Sequence, residues 1–173
     1  MSSQDSRSTE NPTSPGTRRN RAGIRAWAAF VVSLLGMGVS IYLTIAHYDT
    51  KVVLACADNS VINCTKVTTS SYSVLLGFPV AVLGLAFFVV MVILNVPKWF
   101  STASREIQRF RLALSAVGVL MVFYLLYAEL FGVGAICLWC TSVHILTVIL
   151  YGIVVTSYAR LPKREPYNPG SHR

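Results

Sequence analysis

Between Arg111 and Arg160 lie 48 residues with a single charged side chain, Glu129. A straight helix of that length would reach about 72 Å, more than twice the hydrocarbon core of a bilayer, so the segment must fold back on itself. Phe131-Gly132-Val133-Gly134 supplies two glycines for the turn, which predicts spans at about 112–130 and 138–158. Two further uncharged runs precede it. One gives a span at 26–46. In the other, residues 67–73 are rich in Thr and Ser and read as an interfacial helix or loop, while 74–96 are nearly all apolar and read as a span. The expectation is an all-α integral membrane protein, a four-transmembrane-helix bundle with an extracytoplasmic loop or half-helix between spans one and two. Composition agrees, since 54% of the chain is hydrophobic and 13% charged, against about 25% charged in soluble domains.

The 15 Lys and Arg against 7 Asp and Glu give a net charge of +8, which by itself would suit nucleic acid or a membrane surface. Their distribution decides. Five precede the first span, four lie between spans two and three, and four follow the last; only Lys51 and Lys66 fall on the other side. Cytoplasmic loops carry the excess of Lys and Arg, so both termini are expected in the cytoplasm and nucleic acid drops out as a partner. The first apolar run is about 20 residues with no small-residue cleavage site, too long for a signal-peptide core, and reads as a retained span. Residues 1–22 read as a disordered basic cytoplasmic tail, 23–160 as the membrane domain and 161–173 as a second cytoplasmic tail.

Four cysteines then fall on the extracytoplasmic side, where disulfides persist: Cys56 and Cys64 in the first outer loop, Cys137 and Cys140 at the outer start of span four. An even number suggests two pairs. A C-x-x-C in the first turn of a helix meets free N–H groups and the positive dipole end, which favour a thiolate and suit the pair to disulfide exchange. A purely structural Cys56–Cys64 disulfide is the bland reading. Zinc would need a second half better spaced than C-x7-C, and haem attachment needs His where Thr141 stands, so no metal is expected.

These residues resemble the vitamin K epoxide reductase family, and more closely its bacterial branch. The resemblance runs from about Trp27 to Tyr158. It rests on Cys56-Ala-Asp-Asn-Ser-Val-Ile-Asn-Cys64, Ser70-Ser71, Gly77-Phe78-Pro79 and Cys137-Leu138-Trp139-Cys140-Thr-Ser-Val-His144. The other four-span disulfide generator of bacterial inner membranes carries its C-x-x-C in the first outer loop, whereas here it comes second. The resemblance implies a quinone of ubiquinone or menaquinone type as electron acceptor, held beside the C-x-x-C by Ser70, Phe78, Trp139, Cys140 and His144. It implies Cys140 as the quinone-proximal cysteine, Cys137 as its exchange partner, Cys64 as relay and Cys56 as the contact to an external thiol. That thiol would belong to a separate extracytoplasmic thioredoxin-fold protein, since the short C-terminal tail has no room for a fused thioredoxin domain. The implied location is the cytoplasmic membrane of a bacterium, with the ER membrane as the lesser alternative.

His144 shares a helical face with Cys137 and Cys140, and a membrane-embedded His there is a candidate quinone contact or proton carrier; its bland role is a bond between helices. Animal members place Tyr at the matching position. Ser70 has an ordinary turn-forming alternative, Trp139 an interfacial-anchor alternative, and Glu129 is either a proton relay or a side chain reaching the headgroups. Gly36 and Ser40, four apart, read as a close helix contact. The Asn that animal members use early in span two is missing from 74–94, which weakens vitamin K epoxide as a substrate. A vitamin K cycle enzyme and a noncatalytic four-span scaffold with structural disulfides remain the competing readings.

Overall fold

Pro15 is preorganised for a first helical turn, and nothing between it and Asp49 breaks a helix. In the computed structural model, which describes residues 15–49, 51–52, 54–56, 59, 61–75, 77–100 and 104–160, α1 accordingly runs Pro15–Tyr48. It begins inside the segment read as disordered; residues 1–14 and the second tail, 161–173, lie outside the described residues. A short α2 (Cys64–Thr68) and a 3-10 turn (Ser71–Ser73) fill the stretch read as an interfacial helix or loop.

Span two differs from expectation. Residues Val74–Leu75 (β1) and Phe78–Pro79 (β2) form a two-stranded antiparallel hairpin, and α3 occupies only Val80–Leu94, 15 residues. That is about 22 Å of helix, short of the hydrocarbon core. Proline explains the late start: its fixed φ and missing N–H admit Pro79 before a first helical turn but not inside the helix. After α4 (Pro97–Phe100), α5 spans Arg105–Tyr127, continues as a π-helical turn over Ala128–Val133, and α6 covers Leu138–Tyr158. The described residues therefore hold three helices long and apolar enough to cross a membrane, and one shorter apolar helix.

α1 packs along both α3 and α6, and α6 along α5. On α6 the buried positions His144, Thr147, Leu150 and Val154 recur every three or four residues and mark the inward face. The outward faces stay apolar, with Leu120 67% and Phe123 65% exposed, as expected where lipid is the solvent.

Two apolar clusters divide the interior. One joins Ala26, Ala29, Phe88, Met91, Leu150 and Val154; the other joins Leu43, Leu54, Cys64, Val67, Ala135 and Cys137. Beyond the first, buried polar groups tie the helix ends: the Arg111 guanidinium donates to the Leu94 carbonyl at the end of α3 and to Gln108 Oε1, and Asn95 donates to Ser33 Oγ. A cation on the last carbonyls of a helix meets the negative end of its dipole.

Gly36 sets the α1–α3 approach. A Cβ there would run into the ring of the fully buried Phe88, which has nowhere to turn. Gly36→Val is expected to destabilise the bundle by about 1–3 kcal/mol through overpacking, read as a lowered midpoint of thermal unfolding in lipid or detergent; an unchanged midpoint would contradict this packing.

Candidate functional site: a dithiol between a disulfide loop and a cavity

Where α5 ends, the π-helical turn brings Glu129 inward and closes on Gly134, whose φ of 65° is left-handed and natural to glycine. The N–H groups of Gly134 and Ala135 both donate to the Glu129 carbonyl. Two residues later Cys137 caps α6 from extended backbone, its Sγ accepting the Cys140 backbone N–H at 3.3 Å. Both thiols are free; Cys137 is fully buried and Cys140 partly so. Cys137 is held below the ordinary cysteine pKa by the hydrogen bond from the Cys140 thiol and by backbone N–H groups of the first turn, against the opposing effect of burial.

Cys56 and Cys64 form a disulfide with Cα atoms 6.2 Å apart. The loop they close is shaped by Asn side chains: Asn59 Oδ1 accepts from the N–H of Val61 and Ile62, and Asn63 caps α2 by accepting from Lys66. A parallel bridge then docks the loop on the entry to α6, with Asn63 N–H donating to the Ile136 carbonyl (3.1 Å) and Ile136 N–H to the Val61 carbonyl (2.9 Å). Cys64 stands two residues beyond Ile62 and Cys137 one beyond Ile136, both buried in the same apolar cluster; Cys56 stays partly exposed.

Trp139 fastens the other end of the loop. Its indole N–H donates to the Ala55 carbonyl at 3.1 Å, its ring meets Tyr42 edge-on at 4.9 Å, and the Tyr42 hydroxyl accepts the Ala55 N–H. Trp139→Phe keeps the aromatic contact and removes one hydrogen bond, worth about 1 kcal/mol. The expected outcome is about fivefold faster hydrogen exchange at the Ala55 amide; unchanged protection would show that the bond does not hold the loop.

On the inner side of the C-x-x-C lies a cavity of about 720 Å³, the open space at its mouth included. α1 contributes Ser40, Leu43 and His47, the turn before α3 contributes Ser70 and Tyr72, and α6 contributes Cys140, Val143 and His144. Three polar atoms in this lining are buried without a hydrogen-bond partner: Ser40 Oγ, Glu129 Oε2 and His144 Nδ1. Such groups are costly unless something pairs with them. Ser70 differs, its hydroxyl donating to the Val67 carbonyl at 2.7 Å.

The structure thus brings Ser70, Cys140 and His144 to one cavity, and Cys56, Cys64 and Cys137 to the loop interface beside it. Phe78 and Trp139 do not line the cavity: Phe78 is 61% exposed on β2, and Trp139 stands under the loop. Ser40, His47 and Tyr72 line it without having been singled out as site residues. Ser40 carried a signal, a hydroxyl on an apolar helix, but it is indistinguishable in sequence from a packing serine.

Residues 27–155 match the sequence model of the vitamin K epoxide reductase family. The chain belongs to that family. Membership implies a quinone-linked disulfide redox function, and with the apolar helices it makes the chain an oxidoreductase integral to a membrane. Members of the vitamin K epoxide reductase family work with quinones and thioredoxin-like partners. No individual curated protein matches the chain. Among the described residues, no group of three or more His, Cys, Asp or Glu is placed to hold a metal ion.

Proposed function

We propose that the protein is a thiol:quinone oxidoreductase that forms disulfides in an extracytoplasmic thioredoxin-fold partner and passes the electrons to a quinone of ubiquinone or menaquinone type. The observation that carries this reading is Cys140: a reduced C-x-x-C thiol lining an apolar cavity, while its neighbour Cys137 packs with the loop disulfide cysteine Cys64.

The chain's own residues supply each step. A partner thiolate attacks the loop disulfide at the more exposed Cys56, and the partner's second thiol completes its own disulfide, leaving Cys56 and Cys64 reduced. Cys64 then attacks Cys137 of an oxidised Cys137–Cys140 pair, releasing Cys140. Cys56 resolves the mixed disulfide, releasing Cys137, whose lowered pKa makes it a good leaving group. The loop disulfide is restored and the C-x-x-C is reduced, which is the state described above. Two electrons and two protons pass from this dithiol to the quinone. The quinone fits the cavity because its two carbonyl oxygens are acceptors and the orphaned Ser40 hydroxyl and His144 imidazole are donors; Ser70 lines the wall beside them.

In this reading the chain crosses the membrane four times. The short α3, extended by the hairpin that precedes it, makes the second crossing, both basic ends face the cytoplasm of a bacterium, and all four cysteines face outward. The test is purified protein in lipid bilayers given a small dithiol and soluble ubiquinone or menaquinone analogues. The expected result is one quinol formed per dithiol oxidised; dithiol oxidation with no quinol formed overturns the proposal.

A further inference from the structure

Glu129 is the acidic side chain that lines the cavity among the described residues, and it is only 4% exposed. Its position is built. The π-helical turn carries it, with the Glu129 carbonyl pinned by the N–H groups of Gly134 and Ala135. The carboxyl lies near the backbone N–H of Cys137 and near both C-x-x-C thiols. Oε2 has no partner. A buried carboxyl in the wall of a cavity, with one oxygen lacking any hydrogen-bond partner, is poorly explained by packing, since desolvation costs it free energy without compensation. π-helical turns of this kind often mark functional positions.

We infer that Glu129 carries protons between the Cys137–Cys140 dithiol and the quinone oxygens. The inference rests on the thiol:quinone reading above and adds the proton path to it. A thiolate and a carboxylate side by side in an apolar cavity repel each other strongly, so the thiol ionises by handing its proton to Glu129. As the disulfide forms and its electron pair passes to the quinone, Glu129 gives that proton to a quinone oxygen and returns to its starting state. The second thiol proton follows to the other oxygen. The dithiol loses two electrons and two protons, the quinone gains both, and Glu129 is unchanged. Among the described residues, the other titratable groups that line the cavity are His47 from α1, Tyr72 from the turn, and Cys140 and His144 of α6, with Cys137 at the loop interface beside it; the lining residues of α3, Val80, Ala81 and Gly84, carry none.

Glu129→Gln and Glu129→Asp in the full chain, reconstituted in lipid with a dithiol and a menaquinone analogue, test this. Gln keeps the shape and an acceptor oxygen but holds no exchangeable acid proton. Its kcat is expected to fall about hundredfold, with KM for the quinone changed by no more than a few fold and with a flattened pH profile. Glu129→Asp is expected to recover part of kcat and a shifted profile. Wild-type kcat in Glu129→Gln overturns the relay alone, as does a fall in kcat with the wild-type pH profile retained, which marks a structural role. Should Glu129→Gln not fold, an unshifted profile in Glu129→Asp overturns it equally. Failure of the wild-type protein to reduce quinone overturns the oxidoreductase reading and the relay together.

Discussion

Cys140→Ala is expected to abolish quinone reduction, lowering turnover by about three orders of magnitude or more, as when one member of an interdependent catalytic group is removed. Cys140 is the C-x-x-C sulfur that lines the cavity, and without it Cys137 has no partner at the cavity wall with which to form the disulfide that delivers two electrons there. The variant retains Cys137 beside Cys64, so a Cys64–Cys137 disulfide is expected to accumulate and to be found by peptide mass analysis without reductant. Cys140 is partly exposed and caps nothing, so the variant should fold. Turnover at the wild-type rate would sink the proposed function. Cys137→Ala is expected to be equally inactive.

Cys56→Ala separates the two half-reactions. Oxidation of a thioredoxin-fold partner is expected to stop, because the remaining Cys64 is fully buried. A small dithiol can reach the C-x-x-C directly, so quinone reduction driven by it should stay within a few fold of wild type. The loop disulfide spans 8 positions, and its loss removes about 2.5 kcal/mol of chain-entropy stabilisation. The Ile62–Ile136 bridge, the Asn63 cap and the Trp139 bond to Ala55 still hold the loop in place. Partner oxidation at the wild-type rate would remove Cys56 from the electron path, and parallel loss of both activities would show that the disulfide serves structure instead.

The helical frame was legible because long apolar runs bounded by charge admit few alternatives. α6 coincides with the interval 138–158 read from the sequence, and the fold-back falls at the paired glycines as expected. The β1–β2 hairpin was not legible: Val74, Leu75 and Phe78 are as apolar as the helix that follows, and a short apolar run does not reveal its period. The cysteines declared their chemistry through type and spacing. The docking of the loop did not, since the Ile62–Ile136 bridge joins residues 74 positions apart and uses backbone atoms common to all residues. The same holds for the cavity. Helical arithmetic put Cys140 and His144 on one face, but it offered no means of setting Ser40 of α1 opposite them, and the family resemblance, which implied Trp139 as a quinone contact, did not reveal that its indole N–H is spent on Ala55.

In the proposed function Cys137 has two roles at one atom: its sulfur is a redox centre there, and it is the acceptor that starts α6. A cap of this kind is worth about 1 kcal/mol and is strongest for a sulfur bearing negative charge. Sulfur in a disulfide is a weaker acceptor than a thiol or thiolate sulfur, so the cap favours the reduced pair, and 1 kcal/mol in a two-electron couple corresponds to about 20 mV. The start of the helix therefore acts as a voltage bias. In the proposed cycle it raises the reduction potential of the C-x-x-C relative to the loop pair and tilts the exchange toward drawing electrons inward, from Cys56 and Cys64 to the membrane.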